Sequence, residues 1–196
     1  MTVARLVWCS GLAALVASCG GAEAKPAIAG VVDSAVSRDS AIVRFQRSLP
    51  RVTSFEGGAR GRDQLVHEFV VALKKRDTAG LHSLVLDRSE FGWLYYPTNP
   101  EGKPPYSLTP QLMWFMLEGH NDQGYRKLLQ KRAGKPLHVL GYRCDGELSD
   151  QGENTVWGPC VVLRKTEIGD TIAERLFGQI VERGGRYKFL SYANKL

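Results

Sequence analysis

The sequence predicts an α+β domain in which helices come first and an antiparallel meander follows. Three observations predict it. Apolar residues recur at helical spacing from Leu65 to Leu129. From residue 136 onward Val, Ile, Leu, Tyr and Phe dominate and often alternate, the period of a strand. Near the end, Gly184-Gly185 stands between two such runs, and a two-residue hairpin turn requires positive φ at both positions.

The first element is not part of that domain. Residues 6–18 are nearly all apolar or small, preceded by Arg5 and followed by Cys19-Gly20-Gly21. A helix of about 13 residues is roughly 20 Å long, whereas a bilayer span needs about 20 residues. The run has the length of a leader core, with Ala17-Ser18 as small residues at a cleavage site. With Val16 before them and Cys19 after, the segment resembles the lipobox of bacterial lipoproteins. That resemblance implies a signal peptide over 1–18 and lipidation of Cys19. Acyl chains at about 0.8 kcal/mol per buried methylene then make the membrane attachment permanent. Gly20 in place of Asp points to an outer membrane facing the periplasm, where the cell has one. An ordinary secretory leader and an N-terminus that is no signal at all are the alternative readings.

Residues 19–61 read as a tether. Gly, Ala, Pro and Val dominate to residue 32. One short helix then fits Val36, Ile42, Val43 and Phe45, with Pro50 to stop it. Gly57-Gly58 and Gly61 mark a joint, and the domain is predicted over 62–196. Asp63 is the expected N-cap of a helix whose apolar face is Leu65, Val66, Phe69, Val70 and Leu73, with cations in its last turn. Asp77 caps a second helix through Leu81, Leu84 and Val85. Asp87-Arg88-Ser89-Glu90 forms a capping box before Phe91, Trp93 and Leu94. Four prolines between residues 97 and 105 predict a loop. Thr109-Pro110 opens another helix, which Gly119 to Gly124 is expected to interrupt before it resumes to about Ala133. Strands are predicted over 136–144, 155–165, 171–183 and 186–193, with Ile172, Leu176 and Ile180 on one face and Ile180 paired to Phe189 across the glycine turn.

This order, with the helix pair around Phe69-Val70-Val71-Ala72-Leu73-Lys74-Lys75-Arg76-Asp77, the strand Gln179-Ile180-Val181-Glu182-Arg183 and the closing Gly184-Gly185-Arg186-Tyr187-Lys188-Phe189-Leu190-Ser191-Tyr192, resembles the nuclear transport factor 2-like (ketosteroid isomerase-like, cystatin-like) fold. The resemblance implies N-terminal helices packed on a strongly bent antiparallel sheet, a cone with a pocket at its mouth. It names no function, because the family holds isomerases, cyclases and many binding or assembly domains. No acid–base pair of its enzymes matches here, so no catalytic residue is assigned.

Cysteines and charge narrow the classes. Cys144 and Cys160 remain after the leader and Cys19, an even pair in an oxidising compartment. A disulfide closing a loop of about 15 residues is worth about 3 kcal/mol in the chain-entropy account. Two free thiols or a metal pair are the other readings, and the metal pair lacks clustered further ligands. The net charge of +6 comes without any nucleic-acid motif, so no nucleic acid is expected as a partner. No nucleophile elbow, phosphate loop or metal-binding motif occurs, and neither cofactor nor metal is expected.

The expected pocket is aromatic: Trp93, Tyr95, Tyr96 and Trp114, with His138 alternating on the first strand. Core packing is the competing reading of these rings. His120 with Asp122 could make a general-base dyad, although capping is the commoner role for polar residues at a helix break. Glu147, Asp150 and Glu153 punctuate the loop between the cysteines. The leading expectation is a lipid-anchored, non-enzymatic envelope protein that binds a small apolar ligand or a protein partner. A ketosteroid isomerase-like or cyclase-like enzyme is one alternative. An assembly module forming a homodimer through an open face of Leu163, Ile172, Leu176 and Ile180 is the other.

Overall fold

Helices form where caps and apolar spacing meet. The computed structural model describes residues 36–146 and 148–196, so the leader and Cys19 lie outside the described residues. Helix α1 (Arg38–Gln46) is capped by Ser37 and buries Ala41 and Phe45. Helix α2 (Arg62–Lys75) buries Leu65, Val66, Phe69, Ala72 and Leu73. Its N-cap is Gly61, and Asp63 sits in the first turn, where its carboxylate accepts a hydrogen bond from the Tyr142 hydroxyl at 2.8 Å. Helix α3 (Thr78–Ser83) is capped by Asp77, and α4 (Arg88–Glu90) carries the expected capping box. The chain continues without a break through a wide π turn, Phe91–Tyr95, and short 3-10 turns, Tyr96–Thr98 and Pro100–Gly102.

Helix α5 (Pro110–Lys131) opens at the Thr109 cap and runs unbroken for 22 residues. The interruption expected at Gly119–Gly124 is therefore corrected. A Cβ at Gly119 would meet nothing within 4 Å, but at Gly124 it would lie 1.7 Å from the Tyr192 carbonyl oxygen. Gly124 marks the place where the C-terminal segment crosses the helix. Tyr192 N–H donates to Asn121 Oδ1 at 2.9 Å, and Asn194 Nδ2 donates to the Gly124 carbonyl at 2.8 Å.

The seven strands of the described residues are β1 (Val139–Cys144), β2 (Ser149–Gln151), β3 (Asn154–Trp157), β4 (Cys160–Lys165), β5 (Thr171–Glu174), β6 (Ile180–Arg183) and β7 (Arg186–Phe189). They form two antiparallel sheets, ordered β1-β4-β5 and β2-β3-β6-β7, and neither is closed into a barrel. Two of the long strands read from the sequence are each divided between the sheets. Gly158-Pro159 separates β3 from β4, and Arg175 to Gln179 separate β5 from β6. Ile172, Leu176 and Ile180 consequently do not share a strand face. Leu176 and Ile180 are fully buried, which removes them from any open face of the kind expected for a homodimer. The glycine turn has the expected form: Gly184 and Gly185 have φ of 58° and 75°, and Ile180 faces Phe189.

Cys144 and Cys160 face each other across β1 and β4 and are joined by a disulfide. The two strands are neighbours in the sheet but do not form a simple hairpin, since β2 and β3 intervene and belong to the other sheet.

Two apolar clusters fill the interior. In the first, Phe69 of α2 meets Phe177, Phe189 and Tyr192 at centroid distances of 5.4, 5.6 and 5.7 Å. The second gathers Phe45, Phe55, Phe91, Tyr95, Tyr96 and Leu190. The compact unit runs from Val36 to Leu196, so 36–61 holds more than the tether composition implies. Phe45 and Leu49 rest on Gly92, where a Cβ would approach them to 2.9 and 3.0 Å, and Ala59 pairs with Tyr187 of β7. The alanine and phenylalanine four apart on α1 supply a buried stripe that the surrounding arginines conceal in the composition.

Candidate functional site

A cleft of about 460 Å³ lies between the proline-rich loop, α5, the link from β5 to β6 and the C-terminal segment. Each wall has a local cause. Met113, Met116, Leu117 and His120 stand at i, i+3, i+4 and i+7 on α5, one stripe of the unbroken helix. The loop is held from below. Asn99, buried, caps the turn at Pro100 by accepting from Glu101 N–H at 2.8 Å, and its Nδ2 donates to Gln151 Oε1 at 3.2 Å. The Tyr96 hydroxyl donates to the Leu108 carbonyl at 2.6 Å. Arg38 of α1 donates to the carbonyls of Pro97 and Gly102 and stacks on the Tyr96 ring at 5.5 Å. The far wall is Arg175, Gly178, Gln179, Leu190 and Ser191.

The lining has two characters. Leu108, Met113, Met116, Leu117 and Leu190 give it an apolar side, while Gln151, Arg175, Gln179 and His120 offer polar tips. Arg175 makes no ion pair among the described residues. Glu101 is the carboxylate of the lining. Burial first, and then the charge of Glu101, push the Tyr95 hydroxyl above its ordinary range, against a hydrogen bond with Asn99 that lowers it.

The expected aromatic pocket is divided by the fold. Tyr95 lines the cleft, but Tyr96 is buried beneath the loop. Trp93 and Trp114 pack on the second apolar cluster, Trp114 lying 5.3 Å from Phe91, and both indole N–H groups are buried without a hydrogen-bond partner among the described residues. His138 is exposed and does not line the cleft. Its φ of 47° takes it out of strand geometry just before β1, so it cannot alternate with its neighbours as expected. His120 and Asp122 do not form a dyad: two residues apart on a continuous helix, they face different directions, and His120 alone lines the cleft. Asp150 accepts from Thr155 Oγ1 at 3.1 Å and Glu153 pairs with Arg183, which occupies two carboxylates of the inter-cysteine loop. No group of three or more metal-ligating side chains occurs among the described residues.

Sequence reasoning missed Arg175, Gln179, Gln151 and Ser191. They come from a link, a short edge strand and the C-terminal segment, and no local pattern joins them. The α5 stripe was the available signal, hidden by the expected break at Gly119.

The chain matches no known protein-family model, no curated protein and no solved structure.

Proposed function

We propose that this chain is a lipid-anchored envelope protein, attached through Cys19, whose folded unit binds a small, largely apolar ligand with an anionic end, without chemical turnover. One observation carries the reading: a cleft with an apolar thioether and leucine wall facing an arginine that has no carboxylate partner among the described residues. Such a lining buries a hydrocarbon body and orients one charged end. The anchor reading places the unit at an outer membrane facing the periplasm, where the cell has one. Among the described residues no helix is long and apolar enough to cross a membrane.

The nuclear transport factor 2-like cone belongs to the same proposal. Two chain segments, β3-β4 and β5-β6, pass from one sheet to the other across short links. That continuity supports treating the sheets as two halves of one bent sheet, with α2 packed against it through Phe69.

Calorimetric titration of the protein with sodium octanoate tests the binding. Saturable binding is expected, weakened about tenfold or more in Arg175→Glu, where a charge-assisted hydrogen bond worth about 1.5–3 kcal/mol is lost. Met116→Arg weakens it by filling the apolar side. Equal affinity in wild type and both variants overturns the assignment.

A further inference from the structure

The first half of α5 carries apolar side chains that the described residues leave about half-exposed or more. Leu112, Phe115 and Met116 share one face and are 46, 72 and 47 % exposed. Tyr106, just before the helix, is 69 % exposed. Between Pro110 and Asn121 the only formal charge is Glu118, whereas Asp122, Arg126, Lys127 and Lys131 follow in the second half. Single exposed apolar residues are ordinary on a protein surface, but Leu, Phe and Met clustered on one uncharged stretch of helix mark a contact face.

The neighbouring element limits what the contact is. Helix α1 packs on α5, burying Ala41 and Phe45 inward and turning Val43, Arg44 and Arg47 to solvent. Asp39 is the one acidic residue of α1. Arg38 ties the start of α1 to the loop that leads into α5. The described chain thus begins at Val36, just before α1, 17 residues after Cys19 (Val36 minus Cys19). Fully extended, that stretch reaches at most roughly 60 Å.

From this juxtaposition we infer that the α5 stripe docks on the bilayer surface, with Phe115 and Met116 in the headgroup boundary and Arg44 and Arg47 near anionic headgroups. The inference rests on the anchored reading proposed above. An interfacial helix needs an apolar face for the acyl boundary and cations for the headgroups, and the two packed helices supply one each. Met116 belongs both to the stripe and to the cleft wall, so docking brings the cleft mouth to the lipid from which an amphiphilic ligand would come.

Photocrosslinking of the full chain tests it. p-Benzoylphenylalanine is placed at Phe115 in one protein and at Ile168, which is 85 % exposed on the turn after β4, in another. Each is bound to vesicles of phosphatidylcholine with phosphatidylglycerol and irradiated. Phospholipid adducts several-fold more abundant at 115 than at 168 are expected, and Arg44→Glu with Arg47→Glu reduces the excess. Equal adduct yields at the two positions overturn the inference, as does a protein–protein adduct at 115, which assigns the stripe to a second copy. Intact mass before irradiation reads Cys19 acylation independently. Adducts at 115 on an unacylated chain leave the docking face standing and remove the anchor; an acylated chain with equal yields does the reverse.

Discussion

Replacing Glu90 with leucine isolates the buried ion pair that ties α4 to β7. Glu90 is fully buried and Lys188 is 3 % exposed. The Glu90 carboxylate accepts from Lys188 Nζ at 2.8 and 2.9 Å, from Glu56 N–H at 2.7 Å and from Asp87 N–H at 3.0 Å. Glu90→Leu leaves a buried ammonium without its counterion, which costs about 3–5 kcal/mol. It also strips two backbone donors of an acceptor, at about 1–3 kcal/mol each before relaxation. Burial of the new leucine returns about 2 kcal/mol. A net loss of about 3 kcal/mol or more follows, a large part of the roughly 5–15 kcal/mol typical of a domain. The double variant Glu90→Leu with Lys188→Met removes the orphaned charge and recovers about 3 kcal/mol, leaving the backbone donors as the residual cost. Urea unfolding followed by circular dichroism, with the disulfide intact, measures both. A single variant that loses less than about 1 kcal/mol, or a double variant no more stable than the single, refutes the reasoning.

Three further predictions concern the frame around the cleft. Removing the Cys144–Cys160 disulfide by alanine substitution at both positions lowers stability by about 3 kcal/mol, read as a shift of the urea midpoint between the variant and the oxidised wild type. Gly119→Ala stabilises α5 by up to about 1 kcal/mol because its Cβ meets open space, while Gly124→Ala costs about 1–3 kcal/mol by driving the Tyr192 backbone off the helix; thermal melts that rank the two alike contradict the crossing. Burial alone would raise the Glu174 carboxyl, but hydrogen bonds and charge from Arg164 at 2.6 Å and Arg132 at 2.5 Å outweigh it and hold the group below its ordinary 4.5. The folded value is therefore the lower one, so this contribution is complete above the ordinary carboxyl range and disappears as pH falls through the folded value. Glu174→Gln flattens the acid limb of stability against pH, and an unchanged limb refutes the assignment.

Local chemistry was legible in the sequence and long-range placement was not. The Asp77 cap, the Asp87–Glu90 capping box, Thr109-Pro110 and the Gly184-Gly185 register depend on residues within one turn of each other, and all appear as read. Gly124 reads as a breaker because a single sequence does not show that Tyr192 passes over it. The strands over 155–165 and 171–183 read as continuous, since their apolar pattern persists through the links where the chain changes sheet. The cleft suffered most. Tyr95 was visible as an aromatic tip, but Arg175, Gln179 and Gln151 reach it only through tertiary packing. The alternation of His138 with Leu137 and Val139 reads as strand, but its positive φ sets it outside the strand.

Intact-mass analysis of the protein taken from membranes of its native host tests the central claim most directly. The account predicts a chain that starts at Cys19 and carries thioether-linked and amide-linked acyl groups. An unmodified chain still beginning at Met1 contradicts it.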